Sequence, residues 1–474
     1  MKELRKLLAK IDPEILSKRE RELLRLIMSG VDRSDRQVAD LMWPKDKHQI
    51  VYLRQTKDRI MRHLGHVVMD LKENSPYQGR VAECHKEFMA LQILRSLGMR
   101  QELVFYAERL IRRAQRLELS DIITAVADAL YLHYGSLVGD SVKAKKYLAL
   151  AEEYERIQLA ERKAQRRFIG LANHFTRSYV GNARVLEEAH ITARELHAGL
   201  EEHTSFRYRF YTYYVIALYA QLNSDKRMLT DICDEALVFF QGKTYPIPDA
   251  VHFLFGFELR VGLALKTKDY PLARRAVRMG LELAENIPYH YSICLSYQAM
   301  IGFHEGDDES VIAAIDASRD YRDFPALREQ WLIIDAFARF LEIDADSPFR
   351  LGKFLNEVPL YSQDKQGLNI TILVIQVLFY IKRRQFGALI DRWDALRKYS
   401  SRYLKKDHTF RSACFLKMIL MLPAHNFHPV AIERHTAPLL KKLKEYPESD
   451  VEIVPYERLW RKVVTCVEEY HYSG

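Results

Sequence analysis

Cysteine, glycine and proline are all scarce in this chain of 474 residues, and each scarcity closes off a class of protein. The five cysteines, Cys84, Cys233, Cys294, Cys414 and Cys466, are odd in number, far apart and without a CxxC pair. They predict neither a disulfide framework nor a zinc ribbon, and they fit a reducing, cytoplasmic setting. Only 19 glycines and 15 prolines interrupt the chain, which leaves long stretches free to be helical. The longest apolar run, Ile370 to Ile381, contains Thr371 and Gln376 and falls short of the roughly 20 residues a membrane span needs. A buried helix is expected there, and no membrane partner. The opening MKELRKLLAKIDPE is charged every two or three residues and has no apolar h-region, so no secretory signal is expected. GxGxxG, GxxxxGK[ST], GxSxG and HExxH are all absent. Nucleotide loops, hydrolase elbows and zincin helices are thereby disfavoured, and the chain reads as non-enzymatic, with no cofactor and no metal.

What is present is ordinary for a globular protein: 48% hydrophobic and 28% charged residues, with a net charge of +9. Apolar residues recur at three- and four-residue spacing almost throughout, and alternating β-branched stretches are nearly missing. The fold class expected is therefore all-α. Breaks fall near Gly98, Gly139, Gly181, Asn223, Asp269, Gly306, Asp344, Arg384 and Asn426. They lie roughly 40 residues apart, the period of helical-hairpin solenoids.

Several of these breaks introduce similar helices. Gly139-Asp140 precedes Ala144, Tyr147 and Ala151; Asp269-Tyr270 precedes Ala273, Ala276 and then Pro288; Gly306-Asp307 precedes Ala313, Ala317 and then Pro325. Small residues let two helices approach closely, and the proline marks the end of the unit. The pattern resembles the second half of a tetratricopeptide repeat, with most of the first-helix signature missing. The resemblance covers about residues 80 to 474 and implies an α-solenoid of about nine hairpins with a concave face lined by first helices.

Residues 1–73 stand outside this period. Ser17 with Glu20, Ser34 with Gln37 and Asp46 with Gln49 carry the spacing of reciprocal helix caps. They predict three helices, at about 18–29, 35–43 and 47–64. The first is expected to bury Leu23, Leu24, Ile27 and Met28, the second Val38, Leu41 and Met42, and the third Ile50, Leu53, Ile60 and Leu64. "LSKRERELLRLIMSG", "SDRQVADLM" and "LRQTKDRIMRHLG" are similar to the successive helices of LuxR-type helix-turn-helix domains, although "MWPKDKHQIVY" is longer than the turn of that family. The resemblance places Arg54, Gln55, Lys57, Arg59 and Arg62 on a recognition helix, where they would meet phosphates and base edges. The segment carries 17 Lys and Arg against 12 Asp and Glu, a net +5 of the chain's +9. A helical cap on the first repeat would also carry a charged outer face.

Two helices suggest a partner groove. "RYRFYTYYVIALYAQ", residues 207–221, has aromatics on more than one face, with Phe210, Tyr214, Ala217 and Gln221 in one stripe and Tyr208 and Tyr219 off it. The basic helix before it offers Lys163, Arg166, Arg167 and Arg177 to an acidic peptide or phosphate. Packing between neighbouring helices would use the same aromatics. His425, His428 and His435 are interrupted by Pro429 and lack a completing ligand, and His290 with Cys294 reads as core. Two functions remain open. The chain is either a scaffold binding a protein or peptide on its concave face, or a DNA-binding regulator whose solenoid senses a ligand or forms a homodimer.

Overall fold

The computed structural model describes residues 8–29, 33–44, 46–70, 76–177, 183–321, 324–343, 350–357, 368–391, 397–398, 410–445 and 452–472. Among them every regular element is helical and no strand occurs. They fall into two compact units, Met1–Ala151 and Glu152–Gly474.

The first unit opens with helices α1 (Lys18–Met28), α2 (Asp35–Met42) and α3 (Gln49–Asp70). Both expected capping boxes form at α1 and α2, where Ser17 and Ser34 exchange hydrogen bonds with Glu20 and Gln37. The third does not. Asp46 Oδ1 accepts from His48 N at 2.8 Å, and the Gln49 amide donates to Asp40, tying α3 to α2. Leu23, Ala39, Met42, Leu53, Ile60 and Leu64 build the core of this head. Leu41 is 58% exposed, against expectation, because α2 turns its Val38, Ala39 and Met42 face inward and Leu41 lies about 200° from Ala39. Met28 is exposed as well, at the end of α1. Gly65 does not end α3, which continues to Asp70 with Val67 against the core. Three further helices, α4 (Pro76–Ser96), α5 (Arg100–Arg116) and α6 (Ser120–Leu132), pack in succession.

After α7 (Ser141–Arg177) come α8 (Ala183–Ala198), α9 (Phe206–Leu222) and α10 (Lys226–Gln241). Helix α11 begins as Asp249–Phe253, passes through a π-helical turn at Leu254–Glu258 and ends as Leu259–Lys266. Then follow α12 (Tyr270–Leu283), α13 (Pro288–Glu305), α14 (Asp308–Ala317), α15 (Pro325–Phe340), α16 (Leu351–Glu357) and α17 (Leu368–Lys382). The last are α18 (Phe386–Asp391), α19 (Phe410–Ala424), α20 (Pro429–Glu445) and α21 (Tyr456–Tyr472). Helix α17 is the apolar run noted above, and Ile370, Ile372, Val374, Ile375, Leu378 and Ile381 on it are all buried. No helix among the described residues is long and apolar enough to cross a membrane.

One device joins most of these helices. A residue at positive φ ends the first helix at Gly98, Glu118, Ser224, Lys268, Gly306, Glu342, Arg384 and Asn426. In each case the next N–H reaches back five residues, as in Asp225 to Ala220 O, Asp269 to Ala264 O and Asp307 to Gly302 O, at 2.8 to 2.9 Å. This is the Schellman stop, which satisfies carbonyls the helix end leaves free. Every expected break that is described has a positive-φ residue within two positions; at Gly139 the Asp140 N–H reaches back six residues, to Tyr134 O, across a π-helical turn, and Gly181 and Asp344 lie outside the described residues. Glu118 is a stop that no turn residue announces.

At Asp140, Asp225, Asp269 and Asp307 the following aspartate caps the next helix by accepting an N–H three residues on, at 2.9 to 3.3 Å. Counted from that aspartate, positions four, seven and eleven face inward each time: Ala144, Tyr147, Ala151; Leu229, Ile232, Ala236; Ala273, Ala276, Gly280; Val311, Ala314, Ser318. This corrects the sequence reading of α14, because Ala313 and Ala317 are exposed and Ala314 makes the close approach. Pro288 opens α13 at its first turn, where its missing N–H costs nothing, and so starts a unit instead of closing one.

The stop makes a signed prediction. Gly306, at φ +78°, has nothing within 4 Å of an added Cβ, so Gly306→Ala is expected to cost about 1 kcal/mol from left-handed backbone alone. Ser224→Gly, at φ 55°, should gain roughly 0.5–1 kcal/mol at the equivalent site. Urea denaturation of the two variants reads both signs.

The last helix breaks the neighbour-to-neighbour pattern. Arg458 on α21 donates to Phe303 O at 2.9 Å and pairs with Asp308, Lys462 pairs with Glu342 at 2.6 Å, and Arg384 donates to Glu469 O at 3.3 Å. Helix α21 therefore lies along the stops that end α13, α15 and α17, clamping units distant in sequence.

Candidate functional site

Helix α9 carries aromatics all round because it packs on several sides. Ser205 caps it, accepting from Tyr208 N at 3.4 Å. Tyr208 and Tyr219, eleven residues apart, share the face turned to α8: the Tyr208 hydroxyl donates to Leu196 O and Tyr219 meets His190 Nδ1, both at 2.9 Å. Tyr208 is 4% exposed and is taken up in securing α8, whereas Tyr219 is half-buried. Lys163 and Arg167 of α7 likewise close on Glu195 of α8, each at 2.8 Å. Those two cations hold the Glu195 carboxyl below its usual range despite some burial. Arg166 is exposed, and the Arg177 side chain lies outside the described residues. The residues proposed for a groove from sequence are thus mostly spent on packing α8.

A different face of α9 remains open. Phe168 of α7 lies 4.7 Å from Tyr214 and 5.5 Å from Tyr211, measured between ring centres, and Phe255 of α11 lies 6.4 Å from Tyr214 on the other side. Phe168, Tyr211 and Tyr214 are half-buried, so their rings rest on the core and still reach solvent. The stripe of Phe210, Tyr214, Ala217 and Gln221 read from sequence is the seam between α9 and α11, where Gln221 Nε2 donates to Leu259 O at 2.9 Å. This places α7, α9 and α11 side by side with an aromatic strip across them.

Beside the strip stands Glu258, the last residue of the π-helical turn. An extra residue in a helical turn shifts the side chains after it out of register, and such turns recur at functional sites. By accessible area Glu258 is exposed, yet enough protein surrounds its carboxyl for desolvation to raise it above the usual carboxylate range. Glu258 thus combines solvent access with a partly desolvated carboxyl. Glu258 lies close enough to Tyr214 for its charge to add to the burial that pushes the phenol up to about 12. It has no hydrogen bond or ion pair among the described residues, whereas Arg260, two residues on, is held by Asp234 at 2.6 Å. Sequence reasoning missed Glu258, since one glutamate inside "FGFELRVG" carries no signal and the π turn is invisible in the residue pattern.

The head offers a second surface. Helix α3 packs on α1 and α2, and its far side leaves Arg54, Gln55, Arg59 and Arg62 exposed. Lys57 is half-buried and bound to Asp35 at 2.6 Å, which withdraws it from that set. A third feature is a cavity of about 620 Å³ beneath α21, bordered by Lys268, His304, Glu305, Glu457, Arg458 and Lys462. Its carboxylates are matched, Glu305 with Arg274 at 2.6 Å and Glu457 with Arg411 at 2.8 Å.

Metal and thiol chemistry find no support in the geometry. His425 and His435 stack in parallel at 4.1 Å, which does not converge their ring nitrogens on one ion. Among the described residues no three His, Cys, Asp or Glu side chains could hold a metal. All five cysteines are free and buried, and burial pushes the Cys233 and Cys294 thiols up to about 12, far from thiolate reactivity. No protein-family model, curated protein or solved structure matches the chain.

Proposed function

We propose that the chain is a non-enzymatic binding protein. In this reading its hairpins form a tetratricopeptide-like solenoid of about nine units, and the face built by α9 and α11 with the long helix α7 takes a peptide segment of a partner protein. The observation that carries the reading is the aromatic strip of Phe168, Tyr211 and Tyr214 beside a carboxylate, Glu258, that has no hydrogen bond or ion pair among the described residues. Half-buried tyrosines supply large, rigid contact area at low entropic cost and keep a polar end for the solvent or the ligand. The recurring stops at 36- to 44-residue intervals from Ser224 to Asn426 support the solenoid itself. Peptide display on the full chain tests the proposal. Enriched peptides should lose at least about tenfold in affinity on a Tyr211→Ala/Tyr214→Ala variant. A library with nothing enriched over a blank surface, or peptides indifferent to that variant, would refute it.

A second reading concerns the head. If residues 1–73 served only as a cap, α3 would be covered; its basic face is open instead, which favours duplex DNA as a partner. Fluorescence anisotropy with a 20-base-pair duplex over a salt series is expected to show binding that weakens steeply with salt. Arg54→Glu/Arg62→Glu should abolish it, each lost phosphate contact lowering the log–log salt slope by about one. No binding at low salt by the full chain would remove this reading.

A further inference from the structure

We infer that Glu258 is the receptor for an arginine side chain of the partner peptide, an inference that rests on the peptide-binding reading above. Four observations converge. The carboxyl stands at a π-helical turn that carries it out of helical register. It is accessible to a ligand yet partly stripped of solvent by the protein around it. Among the described residues it has no cation, while other acids of the unit have theirs: Glu195 holds Lys163 and Arg167, and Asp234 holds Arg260. The tyrosine beside it belongs to an aromatic strip whose rings extend over α7 and α9.

The chemistry of that combination is specific. A partly desolvated carboxylate without a counter-charge is unfavourable, and a cationic ligand would offset that cost. A guanidinium suits the site better than an ammonium. It is planar, gives two parallel N–H donors to a carboxylate, sheds water more readily and stacks on phenol faces. Tyr214 and Tyr211 would bear on the plane of the guanidinium or on the methylenes that lead to it. An acidic peptide, by contrast, would meet a like charge.

The experiment uses peptides displayed against the full chain and then made as fluorescein-labelled synthetic peptides. Arginine should be enriched at one fixed position. Its replacement by citrulline, equal in shape and neutral, should weaken binding at least tenfold on the natural chain. On Glu258→Gln, whose fold is checked by circular dichroism and melting, the arginine and citrulline peptides should bind within twofold of each other. Should Glu258→Gln not fold, Glu258→Asp keeps the charge one carbon shorter and should show a reduced but measurable preference for arginine. Loss on citrulline replacement that is equal in natural and variant chains, or selected peptides without a fixed basic residue, would overturn the assignment. If those peptides still fail on Tyr211→Ala/Tyr214→Ala, the groove stands and only the role of Glu258 falls. If no peptide is enriched, both fall.

Discussion

Arg411→Ala is expected to cost the second unit about 3–5 kcal/mol, among the largest effects of any single change in it. Arg411 is 2% exposed and bonds Glu452 through Nε at 2.6 Å and Nη2 at 2.9 Å, Glu457 at 2.8 Å, and the carbonyl of Leu443. It therefore ties α19 to α20 and to the entrance of α21, where Tyr456 is buried against Ser412 at 3.0 Å. Truncation takes from Glu452, whose side chain is fully enclosed, the guanidinium that both of its oxygens contact. The penalty comes from the desolvated carboxylate losing this counter-charge more than from the lost attraction itself. An Arg411→Met/Glu452→Leu chain should accordingly be much more stable than Arg411→Ala alone, because it removes both charges together. Urea denaturation followed by circular dichroism compares the two. A single variant within about 1 kcal/mol of the natural chain would show that the ion pair does not carry this corner.

Gly302→Ala should destabilise, although alanine in a helix interior ordinarily gains about 0.5–1 kcal/mol over glycine. A Cβ at Gly302 would stand 2.7 Å from Val311 Cγ2, 2.9 Å from Asp307 O and 3.3 Å from Val311 N. Asp307 O cannot withdraw, since it accepts the first hydrogen bond of α14 from Val311 N at 3.3 Å while its own side chain caps Ser310. The expected cost is near the top of about 1–3 kcal/mol for overpacking. Gly262→Ala is the control of opposite sign. It lies inside α11, and its nearest neighbour would be Gln221 Nε2 at 3.7 Å, so the usual helix gain should survive. Two substitutions alike in sequence terms thus separate by the space around them.

That contrast shows where sequence reading succeeds and where it runs out. Helix stops were legible because glycine, asparagine and the capping aspartates perform local chemistry, with donors and acceptors within five residues of each other. Glu118 and Lys268 stop helices through the same backbone geometry without a residue type that declares it. The inward face of α14 was misplaced by one residue because Ala313 and Ala317 match the expected small residues, whereas the register runs from Asp307 to Val311 and Ala314. Contacts set by tertiary structure were not legible at all. Arg411 and Glu452 are 41 residues apart, and Arg458 meets Asp308 across 150. The candidate groove belongs to this last kind. Tyr208 looked like a ligand-facing residue on composition, and only the position of α8 shows that it is buried there, while the lack of a partner for Glu258 among the described residues depends on tertiary structure alone.

The most direct test of the peptide-binding account is hydrogen–deuterium exchange of the full chain with and without a display-selected peptide. Binding on the aromatic strip should slow local opening of the helices that form it, so protection is predicted within residues 141–177, 206–222 and 249–266. Protection confined to other helices, or to residues 18–70, would contradict the account and place the binding surface elsewhere.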